Sequence, residues 1–589
     1  MSQLSDNDIE TEVVSRNLCG IVDIGSNGIR FSISSKADHH ARIMPCVFKD
    51  RVGISLYDLQ FSNGTAERVP IPDDIINEIC SAMKRFQLIC DDFGVLQTSV
   101  RVIATQATRN AINSKEFITA IYNSTGWEVE VLSKVEEGIL GVYGVVSSFN
   151  TISGLYLDLG CGDVQISWIK CQNGEIIQSS EPISLPYGSS ELTRRLQTED
   201  KKTLFVEITN RCANIISELN IPEDLIEEAR NQGGFDLWTR GGGLRGLAHL
   251  LLSQFKEYPI QTIINGLAYS FDDFSNMCDY LFVKNRIPGN ITGKIFKLSE
   301  RRAYQLPAVG LLMSALFDVI PRIKTIHFSE GGVREGTMYS RLPREIRAQD
   351  PLVTASRPYS PLLSEKYLKL LMTSFPVNEV PSIIYTRIAP AVCNLAFVHS
   401  SYPKELQPTA ALHVATRGII AGCHGLSHRT RALIGIALCN RWGGNIPETE
   451  EKYMQALESV VLREGTKLEA RRIVWWTKYI GTIMYVICGV HPGGNIRDGV
   501  FDFHVVDKND NDDNVLSLEN LKLNNGVPVP PHRGSDSHIR EFNVVVRISK
   551  DDLKTSASVR SRIITMQKKI KKLSMKSLER VKIGVQFYE

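Results

Sequence analysis

Two stretches of this chain place an acid and glycines in the same order after an apolar run. Leu18 to Ser34 reads LCGIVDIGSNGIRFSIS and Ser153 to Ile169 reads SGLYLDLGCGDVQISWI, so Asp23 falls on Asp158, Gly25 on Gly160, Ile29 on Val164 and Ser32 on Ser167. Each has the pattern of strand, tight turn, strand. Glycine lets a backbone approach a ligand closely, and two facing turns can present rows of N–H groups to a phosphate. The donors would be Gly25, Ser26 and Asn27 in the first turn and Gly160 and Gly162 in the second. Displacement at phosphorus also needs a positioned water, a base and cations around the oxygens. Glu136 could be the base, Asp23 and Asp158 could hold a Mg²⁺ with its waters, and Arg30 and Arg109 could neutralise charge.

A repeated hairpin of this kind implies two related lobes with a cleft between them, the arrangement of the actin, sugar-kinase and heat-shock ATPase superfamily. Around the hairpins, strands alternate with helices at glycine-rich junctions, which is an α/β pattern. Asp73 to Cys90 reads as an amphipathic helix, SVRVIATQATRNA as strand into helix, and LWTRGGGLRGLAHLL and IKTIHFSEGGVREGTMYS as strand, glycine turn and helix. From about Arg344 the strands give way to long helical patterns, among them ALHVATRGIIAGCHGLSHRTRALIGIALCNRW. The expected organisation is a disordered N-terminus (1–16), lobe I (17–150), lobe II (151–343), an all-helical domain (344–500), a flexible polar loop (501–541) and a small α/β cap (542–589).

At 589 residues the chain needs several cores. Lys plus Arg number 67 against 65 for Asp plus Glu, so no global basic field recruits nucleic acid or a membrane surface. The basic run from Lys568 to Lys576 lacks interleaved aromatics and reads as a solvated helix face. Twelve cysteines without a CxxC pair read as reduced thiols of an intracellular protein. The apolar run Tyr479 to Val490 is too short for a span of roughly 20 residues and reads as a buried core helix. His413, His424 and His428 lack an HD pair and read as satisfied histidines, while Trp475 and Trp476 read as core.

With these residues in view, the chain resembles the exopolyphosphatase and guanosine-pentaphosphate phosphatase family, Ppx/GppA. The DIGSNSxR-type first phosphate loop is matched by Asp23 to Arg30 with Gly28 for the second serine. The ATxxxR segment is matched by Ala104, Thr105 and Arg109, whose guanidinium would clamp a phosphate. Gly241, Gly242 and Gly243 match a glycine turn of the second lobe, and Ser329 to Gly336 the last signature. The resemblance implies a two-lobed actin-like, ribonuclease-H-like fold, with Glu136 aligned to the glutamate that activates water and Glu137 to the acid after it. The second loop departs from the family's DIGGGSTE: Cys161 replaces a glycine, Asp163 a serine and Gln165 an acid, and Ile139 stands where an arginine is usual.

A carboxylate about 4 Å from a phosphate charge costs on the order of 4 kcal/mol at an effective dielectric near 20, so Asp163, with Gln165, counts against hydrolysis. The resemblance, to a fungal regulatory branch of the family, implies a cytoplasmic sensor for ATP, GTP or another phosphate ligand in mitochondria-to-nucleus retrograde signalling. In that pathway the family member relieves an inhibitory regulator protein that retains transcription factors; a homodimer is an open expectation. The competing reading is a Mg²⁺-dependent phosphohydrolase acting on polyphosphate or a guanosine polyphosphate.

Overall fold

The computed structural model describes residues 17–61, 67–214, 218–289, 294–493, 496, 499–506, 540–549, 557–575, 577 and 579–588. The chain forms two compact units, one running to Pro351 and including Cys423–Ser427, the other formed by Leu352–Gly422 and His428–Glu589. The expected N-terminal segment 1–16 lies outside the described residues.

In the first unit, β1 (Leu18–Gly25), β2 (Gly28–Ser35), β3 (Cys46–Val52), β4 (Val100–Ala104) and β5 (Val129–Val131) form a sheet in the order β3-β2-β1-β4-β5. Helices α1 (Asp73–Asp92) and α2 (Ser114–Thr125) cover it. In α1, apolar residues recur at helical spacing, and Ile79, Met83 and Phe86 join Val22, Ile24, Phe31 and Ile33 of the sheet in one core.

The second sheet repeats this beginning. Its strands are β6 (Ile152–Leu159), β7 (Val164–Gln172), β8 (Glu175–Gln178), β9 (Ile183–Leu185), β10 (Phe235–Gly241), β11 (Leu267–Ser270) and β12 (Ile323–Phe328). The order is β11-β12-β10-β6-β7-β8, with β9 also on β7. The antiparallel β6–β7 hairpin corresponds to β1–β2, and parallel β10 beside β6 corresponds to parallel β4 beside β1.

Two helices connect the sheets crosswise. Helix α3 (Lys134–Ser147) follows β5, yet its Val142, Val145 and Val146 share a core with Tyr156, Ile169 and Trp238 of the second sheet. Four further helices are α4 (Gly242–Gln254), α5 (Phe271–Lys284), α6 (Glu300–Phe317) and α7 (Val333–Tyr339). Val333 of α7 packs against Ile21, Ile103 and Leu132 of the first lobe. Where α3 and α7 cross, a Cβ on Gly144 or Gly336 would clash with the backbone carbonyls of Gly332 and Leu140. Helix α3, which precedes the lobe boundary expected at residue 150, thus packs Val142, Val145 and Val146 on the second sheet and Leu140 against the first.

The second unit contains α8 (His428–Arg441), α9 (Glu448–Leu462) and α10 (Lys467–Val490). It also holds a three-stranded sheet of β13 (Phe501–Val506), β14 (Arg540–Ser549) and β15 (Glu579–Tyr588), together with α11 (Ala557–Ser574). Helix α10 is long and apolar enough to cross a membrane by composition, but 83% of its most apolar window is buried within the protein. Trp476 is fully buried and stacks on Phe542 with centroids 5.5 Å apart, so helices and cap share one core. Three expectations change here. The helical domain and the cap are one unit; Phe501–Val506 is a strand paired with β14; and the long helix read through ALHVATRGII is interrupted, because Gly425 adopts φ +87° and residues 413–427 turn. Most of the expected polar loop lies outside the described residues.

Candidate functional site

Side chains alternate across a strand, and paired residues on neighbouring strands share a face. In the first hairpin Asp23 lies opposite Arg30, and their side chains pair at 2.8 Å with Asp23 only 3% exposed. In the second hairpin the residue opposite Asp158 is Gln165. The cation for Asp158 comes from the other side: Arg240 on parallel β10 is its register neighbour, with Nε 3.3 Å from the carboxylate. The two acid–arginine pairs also feel each other, Arg240 through Asp23 and Asp158 through Arg30. Burial raises the Asp158 pKa and Arg240 opposes that rise.

The turns meet directly. The Asn27 side-chain amide donates to Cys161 Sγ at 2.6 Å, and its carbonyl accepts from Ser55 Oγ and from Arg301. Tyr57 Oη donates to Glu191 at 2.8 Å, a further bond from lobe to lobe. In the second turn the Gly160 N–H donates to the Asp163 carbonyl, while the Gly160 and Cys161 carbonyls accept from the backbone of Ser189, Ser190 and Glu191. A Cβ on Gly162 would lie 3.1 Å from the Gln106 amide group, so this turn is closely packed. Burial pushes the Cys161 thiol up to about 12, which makes it a neutral packing group.

Helix geometry separates the two adjacent glutamates. Glu136 is the third residue of α3; its carboxylate accepts the Ser133 N–H at 2.8 Å while Ser133 Oγ accepts the Glu136 N–H. This is a capping box, and its hydrogen bonds hold the Glu136 carboxyl below the usual range. Glu137, about 100° further round the helix, faces the site instead. Burial lifts its carboxyl to about 7, with Asp163 and Asp158 adding to the rise and Arg109 and Arg240 opposing it. Arg109, expected as a phosphate clamp, donates to the Leu132 carbonyl at 2.5 Å and pairs with Glu137 at 3.1 Å. Asp163 accepts from Ser184 Oγ at 3.1 Å.

Mg²⁺ needs oxygen ligands free to coordinate it. Asp23 and Asp158 each spend an oxygen on an arginine, and no group of three or more His, Cys, Asp or Glu suited to a metal occurs among the described residues. The expected glycine turn is structural at two of its three positions. Gly241 adopts φ +116° against the Leu159 backbone, and a Cβ on Gly243 would lie 2.8 Å from Val309; only Gly242 opens to free space.

Sequence reasoning missed the cations beside the first turn. Arg51 donates to the Asn27 carbonyl at 2.7 Å, and Arg301 pairs with Asp58 at 2.8 Å and donates to Ser55. Burial, reinforced by Arg30 and Arg301, lowers the pKa of Arg51. Burial with Arg51, Arg30 and Arg301 does the same to Arg302. Burial with Arg30 and Arg302 brings Arg245 down to about 10, although Glu330 and Glu335 oppose it. The same surroundings lower His249 to about 4 and keep it neutral. The adjacent pair Arg301–Arg302 was visible in the sequence, but nothing there tied it to a turn about 270 residues earlier.

Comparison with known proteins matches residues 32–345 to the Ppx/GppA phosphatase family and residues 350–585 to the RTG2 C-terminal domain. Retrograde regulation protein 2 of Saccharomyces cerevisiae is 68% identical over 590 residues, covering 100% of both chains. A bifunctional 3-dehydroquinate synthase/phosphatase of Fusobacterium nucleatum is 24% identical over 183 residues, covering 31% of this chain and 26% of that protein. Among solved structures, the Ppx/GppA family member of Aquifex aeolicus is 22% identical with a TM-score of 0.43, covering 55% of this chain and 96% of that one.

Proposed function

The chain belongs to the Ppx/GppA phosphatase family, with the actin-like ATPase fold and an RTG2 C-terminal domain, and on that premise we propose a regulatory protein that binds a phosphate-rich anion between its lobes. The observation that carries this reading is the cluster of Arg30, Arg51, Arg245, Arg301 and Arg302 beside the first turn. Asp23 and Asp58 offset two members, and burial, reinforced by mutual repulsion, lowers the pKa of Arg51, Arg245 and Arg302. A polyanion relieves that repulsion and gains charge-assisted hydrogen bonds. ATP, GTP and polyphosphate all have the chemistry required.

Support for regulation rather than turnover comes from the arginine-bound state of Asp23 and Asp158 and from the use of Glu136 as a helix cap. A ligand that prefers one arrangement of the lobes shifts the population toward it. The name of the Saccharomyces cerevisiae relative places that protein in retrograde regulation. By analogy, this chain would act in the cytoplasm between mitochondria and nucleus, with the anion-bound form binding an inhibitory regulator and releasing transcription factors. A second reading has one observation in its favour. Glu137, with its carboxyl near 7 beside Arg109, has the properties of a general base for a phosphohydrolase.

Titration calorimetry with polyphosphate, ATP and GTP tests the binding claim. Arg302→Gln and Arg245→Gln should each weaken the tightest ligand about 10-fold, the scale of one charge-assisted hydrogen bond. Unchanged affinity in both variants would remove the arginine cluster from the site.

A further inference from the structure

The two acids that offset members of the arginine cluster are held very differently. Asp23 is 3% exposed and faces Arg30 across the β1–β2 ladder, so withdrawing its arginine leaves a buried carboxylate without a cation. Asp58 pairs with Arg301 at the protein surface, where its side chain is 47% exposed, and water solvates its carboxylate as soon as the arginine leaves. Its backbone lies in a helix of only four residues, Leu56–Leu59, capped by Ser55. The Asp23 pair is therefore fixed, and the Asp58 pair is exchangeable.

Arg301 starts α6 in the second lobe, yet its guanidinium is bound by three groups of the first. Nε pairs with Asp58 at 2.8 Å, and one terminal nitrogen donates to Ser55 Oγ at 2.9 Å and to the Asn27 side-chain carbonyl. The segment that carries Ser55 and Asp58 rides on the first turn, because the Tyr57 N–H donates to the Ser26 carbonyl at 3.0 Å. Tyr57 itself reaches Glu191 of the second lobe. Residues 55–58 thus form a latch from lobe to lobe, and its Asp58 arm ends on a cation of the anion site. A carboxylate and a phosphate group offer a guanidinium the same pair of acceptor oxygens. An anion seated among Arg30, Arg51, Arg245 and Arg302 that also engages Arg301 must take the place of Asp58.

We infer that Asp58 is an internal counter-anion of the phosphate site: it competes with the ligand for Arg301, and binding exchanges its carboxylate for a phosphate group. The inference rests on the anion-binding reading above and adds to it the residue that the ligand displaces. The exchange also opens one arm of the latch, since Arg301 cannot hold Asp58 and the ligand through the same Nε. Tyr57–Glu191 and Asn27–Cys161 are untouched by it, so ligand binding loosens the contact between the lobes without abolishing it.

The test is titration calorimetry of the full-length protein with linear tripolyphosphate. Asp58→Asn should tighten binding about two- to fivefold, the scale of one exposed ion pair, and Arg301→Gln should weaken it about five- to tenfold. Asp58→Glu, which keeps a competing carboxylate, should bind as the natural chain does. The deciding arm is the double variant: Asp58→Asn should bring no gain once Arg301→Gln is present, because the competition runs through Arg301. An equal gain with and without Arg301 would reduce Asp58 to a distant negative charge and overturn the inference. Unchanged affinity in Asp58→Asn, with Arg245→Gln/Arg302→Gln still weakening the ligand, would overturn it while leaving the anion site standing. No saturable binding by either the natural chain or Asp58→Asn would remove the anion site and this inference together. Both side chains are more than a third exposed, so these variants keep the fold.

Discussion

The two hairpins place the same acid at the same position and neutralise it from opposite sides. Asp23 takes its arginine from within its own hairpin, across the β1–β2 ladder. Asp158 meets Gln165 at that position and takes Arg240 from the neighbouring parallel strand. The remaining charges differ as well. Arg51, Arg245, Arg301 and Arg302 surround the first turn, whereas Asp163 and Glu137 join Asp158 near the second. The duplication has thus kept its backbone and separated its charges: one turn is suited to holding an anion, and the other is held together by its own ion pairs.

The largest expected effect is at Arg240. Arg240→Met strands Asp158 in a buried position and should cost about 3–5 kcal/mol in denaturant unfolding, the usual result of breaking a buried pair. Arg30→Met should cost less, about 1–2 kcal/mol, because the Arg30 side chain is 35% exposed against 14% for Arg240 and water takes over part of its role. Equal losses would end the asymmetry. A transplant sharpens it: Gln165→Arg added to Arg240→Gln rebuilds the first hairpin's cross-strand pair in the second and should recover about half of the lost stability.

Glu137 gives a pH signature of the acidic side. Its folded carboxyl titrates near 7 and its ordinary value is 4.5, so the folded state holds a proton that the unfolded chain has lost between those values. Stability should therefore fall as pH rises from about 4.5 to about 7. Glu137→Gln should flatten that slope, worth about 3 kcal/mol across the window. Melting temperatures measured at pH 5 and pH 8 check this; an unchanged slope would mean that Glu137 is solvated. The smallest effect belongs to its neighbour. Glu136→Gln should lower the melting temperature slightly by weakening the α3 cap and leave anion affinity unchanged.

Much of this architecture was legible in the sequence, because strand and turn patterns are local. The repeated hairpin, the strand–glycine–helix junctions and the amphipathic α1 all follow from spacing. What escaped depended on register between distant strands. Arg240 stood in view beside Gly241, yet only the parallel pairing of β10 with β6 sets it against Asp158. Glu136 and Glu137 differ by a rotation of about 100° that alignment in one dimension does not show; the Ser133-x-x-Glu136 box was the signal that Glu136 caps the helix. The packing of α3 on both sheets was likewise not legible, since it depends on where the chain crosses in three dimensions.

The most direct measurement is titration of the purified full-length protein with polyphosphate, with and without Mg²⁺, while phosphate release is followed in the same samples. The account predicts saturable binding that needs no Mg²⁺, is lost in Arg245→Gln/Arg302→Gln, and proceeds without release of phosphate. Steady Mg²⁺-dependent release that disappears in Glu137→Gln would contradict it and make the cleft a working phosphohydrolase.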